Sequence, residues 1–338
     1  MPQKKRLTLK DLARRLDVHS STVSRVMNAA TRHLISEEVV QRVLKAAAEL
    51  GFRPNRMASS LRTRRSHAIG VVLPDITNPV FPPILLGIEK VLSDAGYVAL
   101  VANAGPDRAQ HVVDQMLAHQ VDGVVLATVT RRDPVLAYCL DAGIAVATVL
   151  RSEAPAPGVI CDDRLGMRLT VDHLFALGHR HIAHIAGPLS ISTGRLRKQG
   201  FVAAMKVHGL KALLVQADAH TRESGRQACA EILKRFPQVT AIAAGNDLIA
   251  LGCYDALREA GRRCPEDVSV VGHNDMPLTD MLAPPLTTIR IPHHEMGEQT
   301  ARLLLEYIRG EQREHVRVVL KPELVVRGST APPRQTSG

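Results

Sequence analysis

The chain has 338 residues, 45% of them hydrophobic and none of them tryptophan, which allows two or three compact units with large cores. Its net charge of +10 lies wholly in the first fifth: residues 1–66 hold 15 basic and five acidic side chains, and the other 272 residues hold 28 of each. No apolar run approaches membrane-spanning length and the opening Met1–Arg6 has no apolar signal core, so a cytoplasmic chain without membrane contact is expected. Cys139, Cys161, Cys229, Cys253 and Cys264 are odd in number, scattered and without CxxC spacing, which argues against a disulfide framework, a zinc site or a redox centre.

The first predicted helix carries Leu9, Leu12, Ala13 and Leu16 at i, i+3, i+4, i+7, with Lys10, Arg14 and Arg15 on the opposite face. Thr8 stands as its cap, with Asp11 three residues on as a variant capping box. Asp17 then occupies a turn position that needs a positive φ, which Asp tolerates better than most residues. Val18, Val23, Val26 and Met27 form a second apolar face and leave Ser20, Ser21, Thr22, Ser24, Arg25 and Asn28 outward. Short hydroxyls approach phosphates and base edges closely, and an arginine makes a two-pronged contact with guanine. The pattern is a helix-turn-helix, and confinement of the excess charge to its segment is the footprint of phosphate contact.

A third helix is signalled by Ser36 as cap, Glu37 and Glu38 in its first turn, a stripe of Val39, Val43, Leu44 and Ala47, and a stop at Gly51. Pro54 breaks the chain, and Asn55–Leu61 reads as one short helical stretch followed by Arg62, Arg64 and Arg65. From residue 68 short apolar runs alternate with helical patterns. They are 69–73, 98–102, 123–127 and 144–149, then 182–186, 212–215, 241–244 and 268–271. This is the βαβ signature of parallel sheets, and two series predict two doubly wound lobes with one cleft at the carboxyl ends of their strands.

Several patterns are set aside. His179, His181 and His184 lead into a strand, where side chains alternate between faces, so no metal site is assigned. His293 and His294 read as a helix start, as does Asn246-Asp247. There is no Gly-x-Gly-x-x-Gly after a strand, no P-loop and no Ser/His/Asp grouping, so neither a cofactor nor an enzymatic activity is expected.

Several stretches in order carry a specific resemblance: Thr-Val-Ser-Arg-Val-Met-Asn at 22–28, Leu-Gly-Phe-Arg-Pro-Asn at 50–55, Pro-Asp-Ile-Thr-Asn-Pro at 74–79, Leu-Gly-His-Arg-His-Ile-Ala at 177–183, Gly-Asn-Asp-Leu-Ile-Ala-Leu-Gly at 245–252 and Pro-Pro-Leu-Thr-Thr-Ile at 284–289. Over about residues 7–328 the chain resembles the LacI/GalR family of bacterial transcription regulators. The fold class implied is α/β: an N-terminal three-helix headpiece plus two doubly wound parallel-sheet lobes of the periplasmic-binding-protein type. The expected division is a headpiece at 1–53, a hinge helix and linker at 54–66, an effector and dimerisation region at 67–328 and a tail at 329–338.

The resemblance implies that Ser20, Ser21 and Arg25 face bases while Thr8, Thr22, Ser24, Asn28 and Asn55 hold phosphates. Leu61 would wedge into the minor groove at the centre of a near-palindromic operator in double-stranded DNA, bent by that insertion. In the cleft, the loop 187–197 resembles that of family members and aims Arg197 at the effector, while Asn78, Phe81, Ile191, Thr193, Phe201 and Asn246 match other pocket positions. Sugar-binding members carry an Asp where this chain has Leu150 and another at Asn274, and an aromatic where it has His220. Loss of two carboxylates beside a retained Arg197, with a titratable imidazole added, points to an anionic effector such as a sugar acid. No leucine heptads follow Val326, so a homodimer is expected. The competing reading is a periplasmic-type small-molecule binding protein without DNA function, which the basic headpiece disfavours.

Overall fold

The computed structural model describes residues 7–27, 31–52, 65–311 and 316–334. The chain divides into two compact units, Met1–Ser66 and His67–Gly338. In the first, α1 (Leu9–Arg15), α2 (Ser20–Met27) and α3 (Glu37–Glu49) enclose a core of Leu12, Ala13, Val23, Val26, Val40, Val43, Ala47 and Phe52.

Local chemistry sets each helix end. Thr8 and Asp11 form a complete capping box, and Asp17 has φ 53, as the turn requires. The Val18 N–H donates to the Ala13 carbonyl at 3.1 Å, and the Asp17 N–H donates to that of Arg14. This is a left-handed C-cap that swings the chain directly into α2. At the far end of α2, the Arg32 Nε donates to the Val26 carbonyl at 2.9 Å and the Thr31 hydroxyl to that of Arg25. Two predicted details of α3 differ. Ser36 occupies the N-cap position but its side chain makes no cap bond, and the buried stripe is Val40, Val43 and Ala47, with Val39 and Leu44 half-buried at its flanks. The helix is turned so that the i, i+3, i+7 set, rather than the stripe beginning at Val39, meets α1 and α2.

The second unit alternates strand and helix: β1 (Ala68–Leu73), α4 (Phe81–Asp94), β2 (Val98–Asn103), α5 (Pro106–Ala118), β3 (Gly123–Leu126), α6 (Pro134–Asp141), β4 (Val146–Val149) and β5 (Gly158–Cys161). Then follow α7 (Asp163–Ala176), β6 (Ile182–Ala186), α8 (Ser192–Val207), β7 (Leu213–Gln216), α9 (Arg222–Arg235), β8 (Ala241–Ala244), α10 (Asp247–Glu259), β9 (Ser269–Asn274), β10 (Thr287–Arg290), α11 (His293–Arg309), β11 (Arg317–Leu320) and β12 (Glu323–Val325). One sheet has the order β11-β5-β4-β3-β1-β2, the other β12-β10-β9-β8-β6-β7. All pairings are parallel except that of β10 with β12.

Among the described residues the chain therefore crosses between lobes three times, after β5, β10 and β11. The strands flanking those crossings, β5 and β10 to β12, are the ones the sequence reading missed, being three or four residues long with no helix of matching period on both sides. The tail also differs from expectation. Ser329 is fully buried, its carbonyl accepts from the Val270 N–H at 2.9 Å, and its hydroxyl accepts from the Thr287 N–H at 2.8 Å. Ala331 is bonded to Ser269 and His179. Residues 329–331 thus close the second lobe instead of trailing from it.

Candidate functional site: a nucleic-acid face and an interlobe cleft

On the first unit, α2 presents Ser21 and Arg25 exposed, with Ser20, Thr22 and Ser24 half-buried beside them. Thr8 is exposed at the start of α1, where its hydroxyl is already bonded to Asp11. Asn28, Asn55 and Leu61 lie outside the described residues. His19 was missed by the sequence reading. Its Nδ1 accepts from the Ser21 N–H at 3.2 Å and lies 2.8 Å from the Ser21 hydroxyl, so an exposed imidazole caps the outward helix. Histidine is not among the usual capping residues, and no sequence rule would have selected it.

The cleft of the second unit is built at the carboxyl ends of both sheets. Arg197, in the second turn of α8, is only 3% exposed. Its Nε donates to Asp163 Oδ1 at 2.7 Å, one terminal nitrogen donates to the Gly245 carbonyl at 2.7 Å, and the other donates to Asn274 Oδ1 at 3.1 Å. Asp163 opens α7, where the free N–H groups of the first turn favour a negative charge. Burial alone would raise its carboxyl, but the Arg197 guanidinium and the His273 imidazole hold it below the usual carboxylate range. Arg197 is therefore not the unpaired cation that the sequence suggested. Its charge is matched by a buried carboxylate supplied from a helix 34 residues upstream.

The unmatched charge is elsewhere. Leu150, read as the position of a missing cleft carboxylate, packs in the first-lobe core with Val149 and Val159. The next residue, Arg151, is half-buried and near enough to Arg197 and His220 for its charge to act on both. Its loop is tied to the start of α8 by the Ser152 N–H, which donates to Ser192 Oγ at 3.2 Å, and by the Glu153–Arg195 ion pair. The Arg131 N–H donates to the Ser190 carbonyl at 2.7 Å and adds a third interlobe tie. Burial and the nearby Arg197 charge pull the Arg151 guanidinium down to about 10, so it stays protonated at neutral pH. Among the described residues its side chain has no hydrogen-bond or ion-pair partner. Leu150 (φ 66) and Asn274 (φ 117) both hold left-handed backbone at cleft-side strand ends, a strain that collects at functional sites.

The other predicted cleft residues divide. Ile191 and Thr193 are buried at the start of α8. Asn246 caps α10 with its Oδ1, which accepts from the Ile249 N–H at 2.9 Å, as the helix-start reading implied. Asn78 Oδ1 accepts from the Val80 N–H at 3.1 Å in the loop after β1. Phe81 and Phe201 sit in the cores of the two lobes, the latter stacked on His184 with ring centroids 5.0 Å apart.

His220 packs against Gly187, where any side chain would collide with its ring, and its buried Nε2 has no partner among the described residues. Burial, reinforced by Arg197 and Arg151, pushes its imidazole down to about 3. The titratable imidazole expected at this position is thus held neutral by burial and by two nearby guanidiniums. Burial likewise lowers His184 and His273 to about 4.

These three imidazoles make stability acid-sensitive. Each refuses, when folded, a proton that the unfolded chain takes up near pH 6.5. Their contribution is intact above that pH and is lost as pH falls toward 4, by about 1.4 kcal/mol per pH unit for each ring at most. Urea unfolding of the second unit should therefore weaken markedly between pH 7 and pH 5, and an unchanged midpoint across that window would overturn the assignment.

Residues 8–55 match the family described as bacterial regulatory proteins, lacI family, and residues 66–327 match the periplasmic binding proteins and sugar binding domain of the LacI family. The chain belongs to the LacI family. It is 36% identical to the transcriptional regulator CelR of Thermobifida fusca over 97% of this chain and 100% of that one. It is 33% identical to the ribose operon repressor of Escherichia coli K12 over 95% and 99%. The Lac repressor dimer bound to operator and the anti-inducer ONPF superposes with a TM-score of 0.85 at 30% identity, over 97% of this chain and all of that one. A CelR–cellobiose complex gives 0.73 at 34% identity, over 96% and 100%. As a LacI-family member the chain is a DNA-binding transcription regulator with a small-molecule domain, and the fold class follows from the same matches. Among the described residues no helix is long and apolar enough to cross a membrane.

Proposed function

We propose that this LacI-family chain is a cytoplasmic repressor and not an enzyme. It binds a near-palindromic operator as a homodimer and changes its operator affinity when an anionic small molecule, a sugar acid foremost, enters the interlobe cleft. Ser20, Ser21 and Arg25 read bases, with Thr8, Thr22, Ser24, Asn28, Asn55 and Leu61 on phosphates and minor groove. Ile191, Thr193, Arg197, His220, Asn246 and Asn274 line the effector cleft.

One observation carries the anionic reading: Arg197 is bonded to Asp163, whereas the nearby Arg151 has no hydrogen-bond or ion-pair partner among the described residues. A half-buried cation without a partner is a natural seat for a ligand of opposite charge. The relatives whose descriptions name cellobiose or ribose set the contrast, because neutral sugars bring no such charge.

The dimer reading is supported by the dimeric Lac repressor and by apolar side chains left exposed. Val98, Leu100 and Val101 are exposed on the edge strand β2 and Leu86 on α4, and the second lobe exposes Leu278 and Met281. Such side chains fit a second copy of this chain better than water.

The interlobe ties give the effector something to act on. A ligand that prefers one lobe arrangement shifts operator affinity by its difference in affinity for the two arrangements, and by no more. A gel shift on DNA upstream of the chain's own gene tests the reading, run over a salt series with and without sugar acids. Expected is a sequence-selective complex that weakens steeply with salt and changes with a sugar acid. The regulator reading falls if no selective complex forms at any salt, and the anionic reading falls if the complex responds to neutral sugars alone.

A further inference from the structure

We propose that His19 fixes the hydrogen-bonding sense of Ser21, so that this serine meets the operator as an acceptor and requires the amino-bearing base of one base pair. The proposal rests on the reading of Ser21 as a base-facing residue and adds which group of the base it demands.

The arrangement sits at the start of α2. His19 is the N-cap: its carbonyl accepts from the Thr22 N–H at 2.9 Å and closes the first turn. The Ser21 N–H donates to His19 Nδ1 at 3.2 Å, so that nitrogen carries a lone pair and the ring proton sits on Nε2. The Ser21 hydroxyl lies 2.8 Å from the same lone pair, toward which it can only donate. Its single proton is thereby spent inside the protein, and the lone pairs of Oγ are what it offers to a ligand. His19, Ser21 and Arg25 are all exposed, and Ser21 and Arg25, four residues apart, share one face of the helix.

Every base pair shows one exocyclic amino group and one keto oxygen in the major groove, adenine N6 with thymine O4 or cytosine N4 with guanine O6. A free serine hydroxyl rotates to suit either. A hydroxyl turned toward His19 suits only the amino group. To meet a keto oxygen or a purine N7 it must swing away and give up its 2.8 Å bond, at a site from which DNA has displaced the water that would replace it. A small side chain that would otherwise be indifferent thus sets the orientation of a base pair.

Operators selected from a random pool by the full-length protein, followed by affinity measurements on synthetic sites, test this. The pair read by Ser21 is the one whose selection disappears in Ser21→Ala. Deleting the amino group there, with purine for adenine or 2-pyrimidinone for cytosine, should weaken wild-type binding about three- to tenfold beyond the loss it causes in Ser21→Ala. Deleting the opposing keto oxygen, with 5-methyl-2-pyrimidinone for thymine or 2-aminopurine for guanine, should bring no such excess. His19→Asn supplies an amide oxygen that accepts from the same N–H and hydroxyl, and should keep the amino requirement. His19→Ala frees the hydroxyl, and the excess loss should fall below about twofold. A residue that only capped the helix would change affinity for all sites equally, so an amino requirement of full size in His19→Ala overturns the proposal. A wild-type requirement for the keto oxygen or for N7 at that pair also overturns it, while the base-facing reading of Ser21 stands. If Ser21→Ala alters selection at no pair, that reading falls and the proposal falls with it.

Discussion

Asp163→Ala should lower the unfolding free energy of the second unit by about 3–5 kcal/mol, the range seen when one partner of a buried ion pair is removed. Asp163 and Arg197 are each 3% exposed, and the guanidinium makes its shortest contacts, at 2.7 Å, to this carboxylate and to the Gly245 carbonyl. Without the carboxylate, a full positive charge stays in a site that already holds Arg151 and three neutral imidazoles, none of which can absorb it. The pair itself is a different matter, because desolvating two ions offsets most of their attraction. Asp163→Leu combined with Arg197→Met should therefore recover much of the loss. Urea midpoints of the two single variants and the double variant check this by a mutant cycle. A single-variant loss below about 1 kcal/mol would mean that water reaches the pair and that the cleft floor is wetter than its burial implies.

Gly297→Ala should destabilise the first lobe by about 1–3 kcal/mol, against the usual benefit of alanine in a helix. Helix propensity alone favours the substitution by about 1 kcal/mol. Here α4 and α11 cross so closely that a methyl group at Gly297 would overlap the Ile84 carbonyl, and one at Gly87 would overlap the His294 carbonyl. The opposing atoms are backbone, so no side chain can move aside. The helices must separate and loosen the core around Ile84, Ile88, Met296 and Ala301, and overpacking of this kind outweighs propensity. The second lobe repeats the device at Gly225 and Gly252, between α9 and α10. A thermal midpoint raised by Gly297→Ala would refute the close crossing.

Much of this molecule was legible in local pattern. The helix-turn-helix followed from the spacing of Leu12, Ala13, Val23 and Val26, the capping box at Thr8 and the turn at Asp17, all within one stretch of chain. The two-lobed sheet architecture followed from apolar runs alternating with helical periods, since a parallel strand buried on both faces must be apolar throughout. The buried stripe of α3 was misphased by one residue at Val39, because flanking apolar residues blur which face turns inward.

The cleft was only half legible. Arg197 and Asn274 were found through the family resemblance, and the structure brings them within 3.1 Å of each other. Their electrostatic meaning was not. Asp163, the true partner of Arg197, opens a helix that looks like any other with an acidic first turn. Arg151 has the sequence context of any loop arginine, beside Leu150, which packs into the first-lobe core.

The sequence by itself determined the headpiece, the location of the net charge and the presence of two parallel-sheet lobes, because each depends on interactions within a few turns or on a strand's own composition. Only the tertiary structure decided which guanidinium is matched and which is free. Positions 151, 163, 197 and 274 meet through interlobe crossings and strand ends far apart in the chain, and a charge has no partner until the fold supplies one.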